Sequence, residues 1–220
     1  VLRIGCFKGW AGFASVDVLA AEWSVLSMEL LAACLAARVR LLVDAAGTPR
    51  ARCAETVKRI GGRAAYVSDG PARARPLAEA LTRRMDVVVT GPVEEAAPAA
   101  AGIWHYGWRP GRLQELAGAA AAGLVLAESP TPLVVELLRD GTSTISKPDD
   151  APGEVRAEEV RACLTGTFTT PDIVVDLAAV RVSQTGHDRV RLEPPTGRRP
   201  PPREQRQMLI IDGAAYEVRV

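Results

Sequence analysis

Short apolar runs alternate with longer helix-like stretches through the first 130 residues, and this alternation is what most narrows the fold. Leu2–Cys6 is a short apolar run of strand length. Val25–Arg38 is long enough for a helix, with Ser24 or Ser27 as its N-cap. Arg40–Val43 reads as a strand, followed by the turn residues Ala46-Gly47-Thr48-Pro49. Arg50–Ile60 is an amphipathic helix closed by Gly61-Gly62, and Ala64–Val67 is another strand. Pro76–Arg84 reads as a helix and Asp86–Thr90 as a buried strand. Gly91-Pro92 opens a further helix, since proline suits a first turn, and Gly111–Ala122 is helical. Strands separated by helices pair in parallel through right-handed crossovers.

From about Pro132 the pattern changes. Leu133–Leu138, Ser143–Ser146, Ile173–Val175, Ala179–Gln184, Arg189–Leu192, Gln207–Ile211 and Ala215–Val220 are strand-like, interrupted by one helix at Arg156–Leu164. Asp140-Gly141 and Asp212-Gly213 are hairpin signals. Pro194–Pro202 reads as an exposed, mobile loop. The expected class is therefore α/β: a parallel-sheet layer over residues 1–130, then a β-rich subdomain over 131–220.

Charge and cysteine content restrict function. Lys and Arg number 27 against 26 Asp and Glu, a balance that lacks the basic footprint of a nucleic-acid binder. Leu116–Ala127 is the longest stretch without a polar side chain and is too short to span a bilayer. No basic segment followed by an apolar core opens the chain, and Cys6, Cys34, Cys53 and Cys163 show no paired spacing. A cytoplasmic protein with reduced thiols and no membrane segment is expected. No phosphate loop, dinucleotide fingerprint or nucleophile elbow is present, and two distant histidines do not suggest zinc. The expectation is chemistry without a metal or other cofactor.

In an open parallel sheet, ligands bind beyond the carboxyl ends of the strands. Three such ends lead into Gly5–Gly12, Asp44–Thr48 and Thr90–Glu95, whose small residues let a ligand approach the backbone. Seven of the ten aromatic residues fall within Phe7–Trp23 and Trp104–Trp108. They read either as a wall around a pocket or as plugs over the core. Substrate contacts are expected at Lys8, Trp10, Thr90, Gly91, Trp104 and Trp108. Lys8 reads as an anion partner or a solvated loop lysine. Glu29, Asp44 and His105 are the candidate proton-transfer groups. Glu29 lies among apolar residues, where burial would raise its pKa; alternatively it is a first-turn acid favoured by the helix dipole. His105 is either a pocket acid/base or a packed structural ring. Cys6 has no histidine near it in sequence to activate it as a nucleophile. The charges of the C-terminal half read as structural, with Pro171-Asp172 a turn or cap and His187-Asp188 a hairpin tip.

Thr170-Pro171-Asp172-Ile173-Val174-Val175-Asp176, with Val180-Arg181-Val182 and Gly186-His187-Asp188-Arg189-Val190 after it, resembles the Thr-Pro-Asp segment and hairpin of the bacterial acyclic terpene utilisation family. Asp140-Gly141 with Ile145-Ser146-Lys147-Pro148 is similar to the segment upstream. Asp86–Gly91, His105–Trp108, Arg3-Ile4-Gly5 and Met28-Glu29-Leu30 resemble the family's first half, in the same order. Family members are usually considerably longer. Asp44-Ala45-Ala46-Gly47 stands where the family has Asn-Ala-Gly-Gly, and Gly91-Pro92-Val93-Glu94-Glu95 where it has Gly-Arg-Val-x-Asp. Gly123–Ser129 replaces a Gly-His…Glu-Cys-Gly pattern, and Asp149-Asp150 replaces a glycine pair. The resemblance implies breakdown of branched isoprenoid acids as thioesters. The expected activity is hydration, dehydration, isomerisation or hydrolysis of an acyl thioester or carboxylic acid. The alternative is a non-catalytic ligand-binding or accessory subunit, as a homo-oligomer or beside a partner enzyme.

Overall fold

A computed structural model of the chain describes residues 1–8, 15–68, 70, 72–148, 151, 153–201 and 207–218. Five parallel strands form its centre: β1 (Leu2–Cys6), β2 (Val18–Glu22), β3 (Arg40–Asp44), β4 (Ala64–Val67) and β5 (Val87–Thr90). Helices α1 (Met28–Ala36), α2 (Arg50–Arg59) and α3 (Ala74–Thr82) join them from β2 onward. Helices α4 (Ala97–Tyr106) and α5 (Leu113–Glu128) follow β5. Beyond them come β6 (Val134–Leu137), β7 (Ser143–Ser146), α6 (Ala157–Cys163), β8 (Thr167–Thr169), β9 (Val174–Asp176), β10 (Arg181–Gly186), β11 (Arg189–Glu193), β12 (Gly197–Arg198), β13 (Gln207–Ile211) and β14 (Ala214–Val218).

The main sheet has eleven strands in the order β10-β11-β7-β6-β1-β2-β3-β5-β4-β13-β14. Strand β6 pairs antiparallel with β1, and β13 antiparallel with β4, so late strands flank the parallel centre on both sides. Strands β12, β9 and β8 form a second, antiparallel sheet. This is an α/β fold with a strand-rich C-terminal region. The Asp212-Gly213 hairpin has φ of 51° and 82°, positive at both turn residues as a type I′ turn requires.

Strand pleat sorts the core into two layers. Leu19, Leu41, Val43, Val87 and Val89 face α1 and α2, meeting Leu31, Cys34, Cys53 and Val57. Ile4, Cys6, Ala20, Leu42 and Val88 face the other way, toward α3, α4, α5 and the small sheet. From β1 to β4 the chain steps one way across the sheet, with α1 and α2 on one face. From β4 through β5 to β6 it steps back, with α3, α4 and α5 on the opposite face. A constant crossover hand demands that exchange of face. The reversal puts the topological switch point between the carboxyl ends of β3 and β5, the place where open sheets of this kind hold ligands.

Helix α5 is mostly alanine, glycine and leucine, and its small residues let it press closely on its neighbours. A β-carbon at Gly123 would lie 2.2 Å from the Glu95 carbonyl oxygen, and one at Gly118 would lie 2.2 Å from that of Gly141. Helix α4 receives the Trp108 ring in the same way, at Gly102.

Two expectations need correcting. The 194–202 segment contains β12, and Gly197 there is buried; its β-carbon would lie 2.7 Å from the Leu113 carbonyl oxygen. Hydrogen bonding to β9 and the press of α5 hold it. Of the two readings of the Trp104–Trp108 aromatics, the pocket wall is the one to correct: Trp104, His105 and Tyr106 form the last turn of α4, and Trp108 is buried against Gly102.

Candidate active site

The register sets Asp44 directly opposite Thr90 at the ends of β3 and β5. The pleat turns both toward the face carrying α3, α4 and α5, in step with Leu42 and Val88. The Ala45 amide donates to the Thr90 carbonyl at 3.0 Å, and the Ala46 amide to Asp44 Oδ1 at 3.0 Å. Asp44 therefore shapes the turn into α2. Thr90 is fully buried, and its Oγ1 has no hydrogen-bond partner among the described residues. Gly91 follows, buried against the Arg50 guanidinium, which donates to the carbonyls of Val67 (2.8 Å) and Ser68 (2.6 Å).

Lys8 lies on the same rim, beyond β1, about 14 Å from β5 at ordinary strand spacing. Its ammonium donates to the carbonyls of Ala127 (3.3 Å) and Ser129, at the C-terminus of α5. Beside it, the Cys6 thiol donates to Glu94 Oε1 at 3.6 Å. Burial, with the Glu94 charge adding to it, pushes that thiol up to about 12, so it stays protonated and is no nucleophile. Trp10 lies outside the described residues.

The other expected residues are elsewhere. His105, Trp104 and Trp108 lie at the opposite rim, because ten-residue α4 carries the chain back along the strands. Tyr106 Oη donates to the Leu137 carbonyl at 2.8 Å, and Leu137 pairs with Leu2 at the start of β1. Trp108 Nε1 donates to the Arg139 carbonyl at 3.0 Å. His105 is exposed, its ring edge-on to Tyr106 at 4.7 Å. Trp104, Tyr106 and Trp108 pack the foot of the sheet, away from the carboxyl ends of the strands. Glu29 is exposed in the first turn of α1, behind the cap that Ser27 Oγ makes with the Leu30 amide (3.1 Å). Its own backbone amide and then the Ser27 hydroxyl hold its carboxyl below the usual range, where burial would have raised it.

The cavity on this rim opens one step past Thr90. It encloses ≈ 400 Å³ between the entry to α3, the β5–α4 connection, α5 and the β8–β9 loop. Its walls are mainly small and apolar: Ala72, Ala74, Pro92, Ala96, Ala99 and Ala120. Two carboxyl groups join them, Glu95 and Asp172. Thr170 Oγ1 accepts from the amides of Asp172 (3.2 Å) and Ile173 (3.0 Å), which folds the Thr-Pro-Asp loop and aims Asp172 at α3. Asp172 Oδ2 then accepts the Ala74 amide at 2.9 Å, capping α3 from 98 residues away. Its Oδ1 is buried without a partner among the described residues. Burial raises the Asp172 pKa against the pull of the Ala74 amide, Arg75 and Arg73. Glu95, at the mouth, is raised by desolvation and then by the charges of Glu128 and Glu94. Both carboxyl groups are raised from their ordinary values, the direction that brings a carboxyl nearer to neutral-pH acid–base work.

Sequence reasoning reached Glu95 only as the end of a strand-end segment, and read Asp172 as a turn or cap. The cap is real, but its helix is distant in sequence and the cavity between them has no local signature. A family model described as "Acyclic terpene utilisation family protein AtuA" matches residues 72–131 and 126–220, which hold both walls of the cavity. Lys8, Glu29 and Asp44 fall outside those matches. No curated protein and no solved structure matches the chain. The family match covers most of the sequence and includes the Thr-Pro-Asp loop, so the chain belongs to the acyclic terpene utilisation family.

Proposed function

We propose that this chain performs acid–base chemistry, without a redox cofactor, on an acyl thioester with a branched acyclic skeleton, in the breakdown of terpenoid acids. The observation that carries the reading is the pair of carboxyl groups with raised pKa, Glu95 and Asp172, on one cavity otherwise lined by small apolar residues and by Thr169 and Thr170. The volume suits a small ligand. Among the described residues no lysine or arginine lines the cavity, and Glu94 and Glu128 add negative charge near its mouth. A free carboxylate would meet repulsion there, so a neutral thioester carbonyl is the better partner than the acid itself. Asp172, fixed through Oδ2, moves a proton with its other oxygen, and Glu95 serves as its counterpart at the mouth.

A specific observation favours a second reading, in which the chain binds a ligand or supports a partner enzyme without catalysis. Asp172 already has structural work in capping α3, and Val25 and Met28 are exposed apolar side chains near one another in sequence. Turnover of branched enoyl and hydroxyacyl thioesters of a short thiol, followed by mass spectrometry, separates the two. Glu95→Gln and Asp172→Asn should each lower the rate by about 100-fold or more, since general acid–base groups contribute on that order. Asparagine still accepts from the Ala74 amide, so folding is preserved. Binding without turnover in the wild type, or full turnover in both variants, rejects the catalytic reading.

A further inference from the structure

The cavity between Glu95 and Asp172 has a direction. Helix α4 leaves the carboxyl rim of the sheet just after Glu95 and runs to the foot, where Tyr106 Oη meets the Leu137 carbonyl. Helix α5 runs back and ends at the rim beside Lys8. Ala99 therefore lies about one helical turn below Glu95. Ala120 lies nearly a turn footward of Gly123, the residue that admits the Glu95 carbonyl. Asp172 is at the rim, because it caps the first turn of α3, which begins beyond the end of β4. The two carboxyl groups thus stand at one end of the cavity, and the buried methyl groups of Ala99 and Ala120 (5% and 1% exposed) line it deeper. Nor can α5 settle inward to close the space. Gly118 and Gly123, on either side of Ala120, already meet the carbonyl oxygens of Gly141 and Glu95 with no room for a β-carbon. Backbone contact therefore keeps the space in front of Ala120 open.

We propose that Ala99 and Ala120 set the length of apolar chain that this cavity accepts. Its ligands are neutral carbonyl compounds whose carbonyl lies at Glu95 and Asp172 and whose chain descends between α4 and α5 onto those two methyl groups. The inference rests on the reading of the cavity as the ligand site, but not on turnover there. A larger side chain at position 120 grows into the open space and shortens the chain that fits. Each methylene that the cavity takes from water strengthens binding about fourfold. Affinity therefore climbs with chain length and levels off where the chain reaches the two alanines.

The test titrates the whole chain calorimetrically with the methyl ketones from butanone to nonanone, which carry a neutral carbonyl and no thioester to cleave. In Ala120→Leu the levelling-off should come about two to three carbons earlier, and the longest ketone that fits the wild type should bind about tenfold or more weakly. Ala99→Leu should act in the same way from the other helix, and the smaller Ala120→Val by a lesser step. Urea unfolding confirms that each variant is folded. Ala33→Leu, on the exposed face of α1, should leave the profile unchanged. A levelling-off that does not move in the folded variants, or wild-type binding that does not depend on chain length, overturns the proposal. A shifted profile upholds it whether or not thioesters are turned over, so absent turnover refutes the catalytic reading alone.

Discussion

Replacing Gly123 with alanine sets two effects of known size against each other. In an exposed helix interior, glycine to alanine gains about 1 kcal/mol through backbone entropy. At this position the new β-carbon would lie 2.2 Å from the Glu95 carbonyl oxygen, 2.8 Å from its carbonyl carbon and 3.1 Å from its α-carbon. All three are backbone atoms, so no side chain can swing aside. Ordinary contact begins near 3.4 Å, so α5 or the β5–α4 connection must shift by about an ångström. With three backbone atoms in the way, the cost falls in the upper part of the overpacking range, about 2–3 kcal/mol, so against the propensity gain a net loss of about 1–2 kcal/mol is expected. In a chain of this length that lowers Tm by about 2–8 °C. Urea unfolding should show a lower midpoint with an unchanged slope. Gly111→Ala is the control: its β-carbon meets nothing within 4 Å, and it should be neutral or gain about 0.5 kcal/mol. A Gly123→Ala protein as stable as the Gly111→Ala one would refute the close-approach argument. Because Glu95 stands at the cavity mouth, the same shift should also weaken whatever the cavity binds.

Three further outcomes follow from the geometry. Ala46 has φ of 48°, a left-handed conformation that disfavours any β-carbon. Ala46→Gly should raise stability by up to about 1 kcal/mol, read as an increase in Tm. Asp172 holds its proton above the ordinary value, so its contribution to stability is fully present below pH 3.8 and is lost as pH rises through the shifted pKa. Asp172→Asn should therefore be more stable than the wild type at neutral pH, with the gap closing toward pH 3.8; urea midpoints across pH 4–8 that stay parallel would contradict the raised value. Cys6, with a pKa of about 12, is thiolate to only about one part in ten thousand at pH 8. Native protein should leave it unlabelled by a thiol reagent that reacts with it readily once urea is added.

Much of the α/β frame could be read from periodicity, because β1, β3, β4 and β5 are compact apolar runs bounded by turn residues. Strand β2 escaped notice: Val-Leu-Ala-Ala-Glu carries two alanines, which mark neither strand nor helix. Strand β8, Thr-Phe-Thr, is half-exposed at the edge of the small sheet and has no apolar run to reveal it. The reversal β3-β5-β4 is a tertiary fact that no local pattern carries, yet it alone makes Asp44 and Thr90 neighbours. The aromatic cluster misled for a related reason. Placing the helix start at Gly91-Pro92 ignored the turn through Val93–Ala96, and α4 then carries Trp104 and His105 to the far end of the sheet. Local sequence could show that Thr170-Pro171-Asp172 makes a turn, but not that the turn caps α3 across the top of a cavity.

The pairing of β13 with β4 places a demand on synthesis. Met208 donates its amide to Ser68 Oγ across 140 residues, and Leu209 seats beside Val67. While the ribosome is still making residues 69–206, β4 presents an open row of amides and carbonyls next to Val67 and Ala65. An uncovered strand edge of that kind recruits other chains, and distant pairing is slow to form. Nascent or truncated forms lacking the last hairpin should therefore need a chaperone, and the final dozen residues described act as the clasp that ends that exposure.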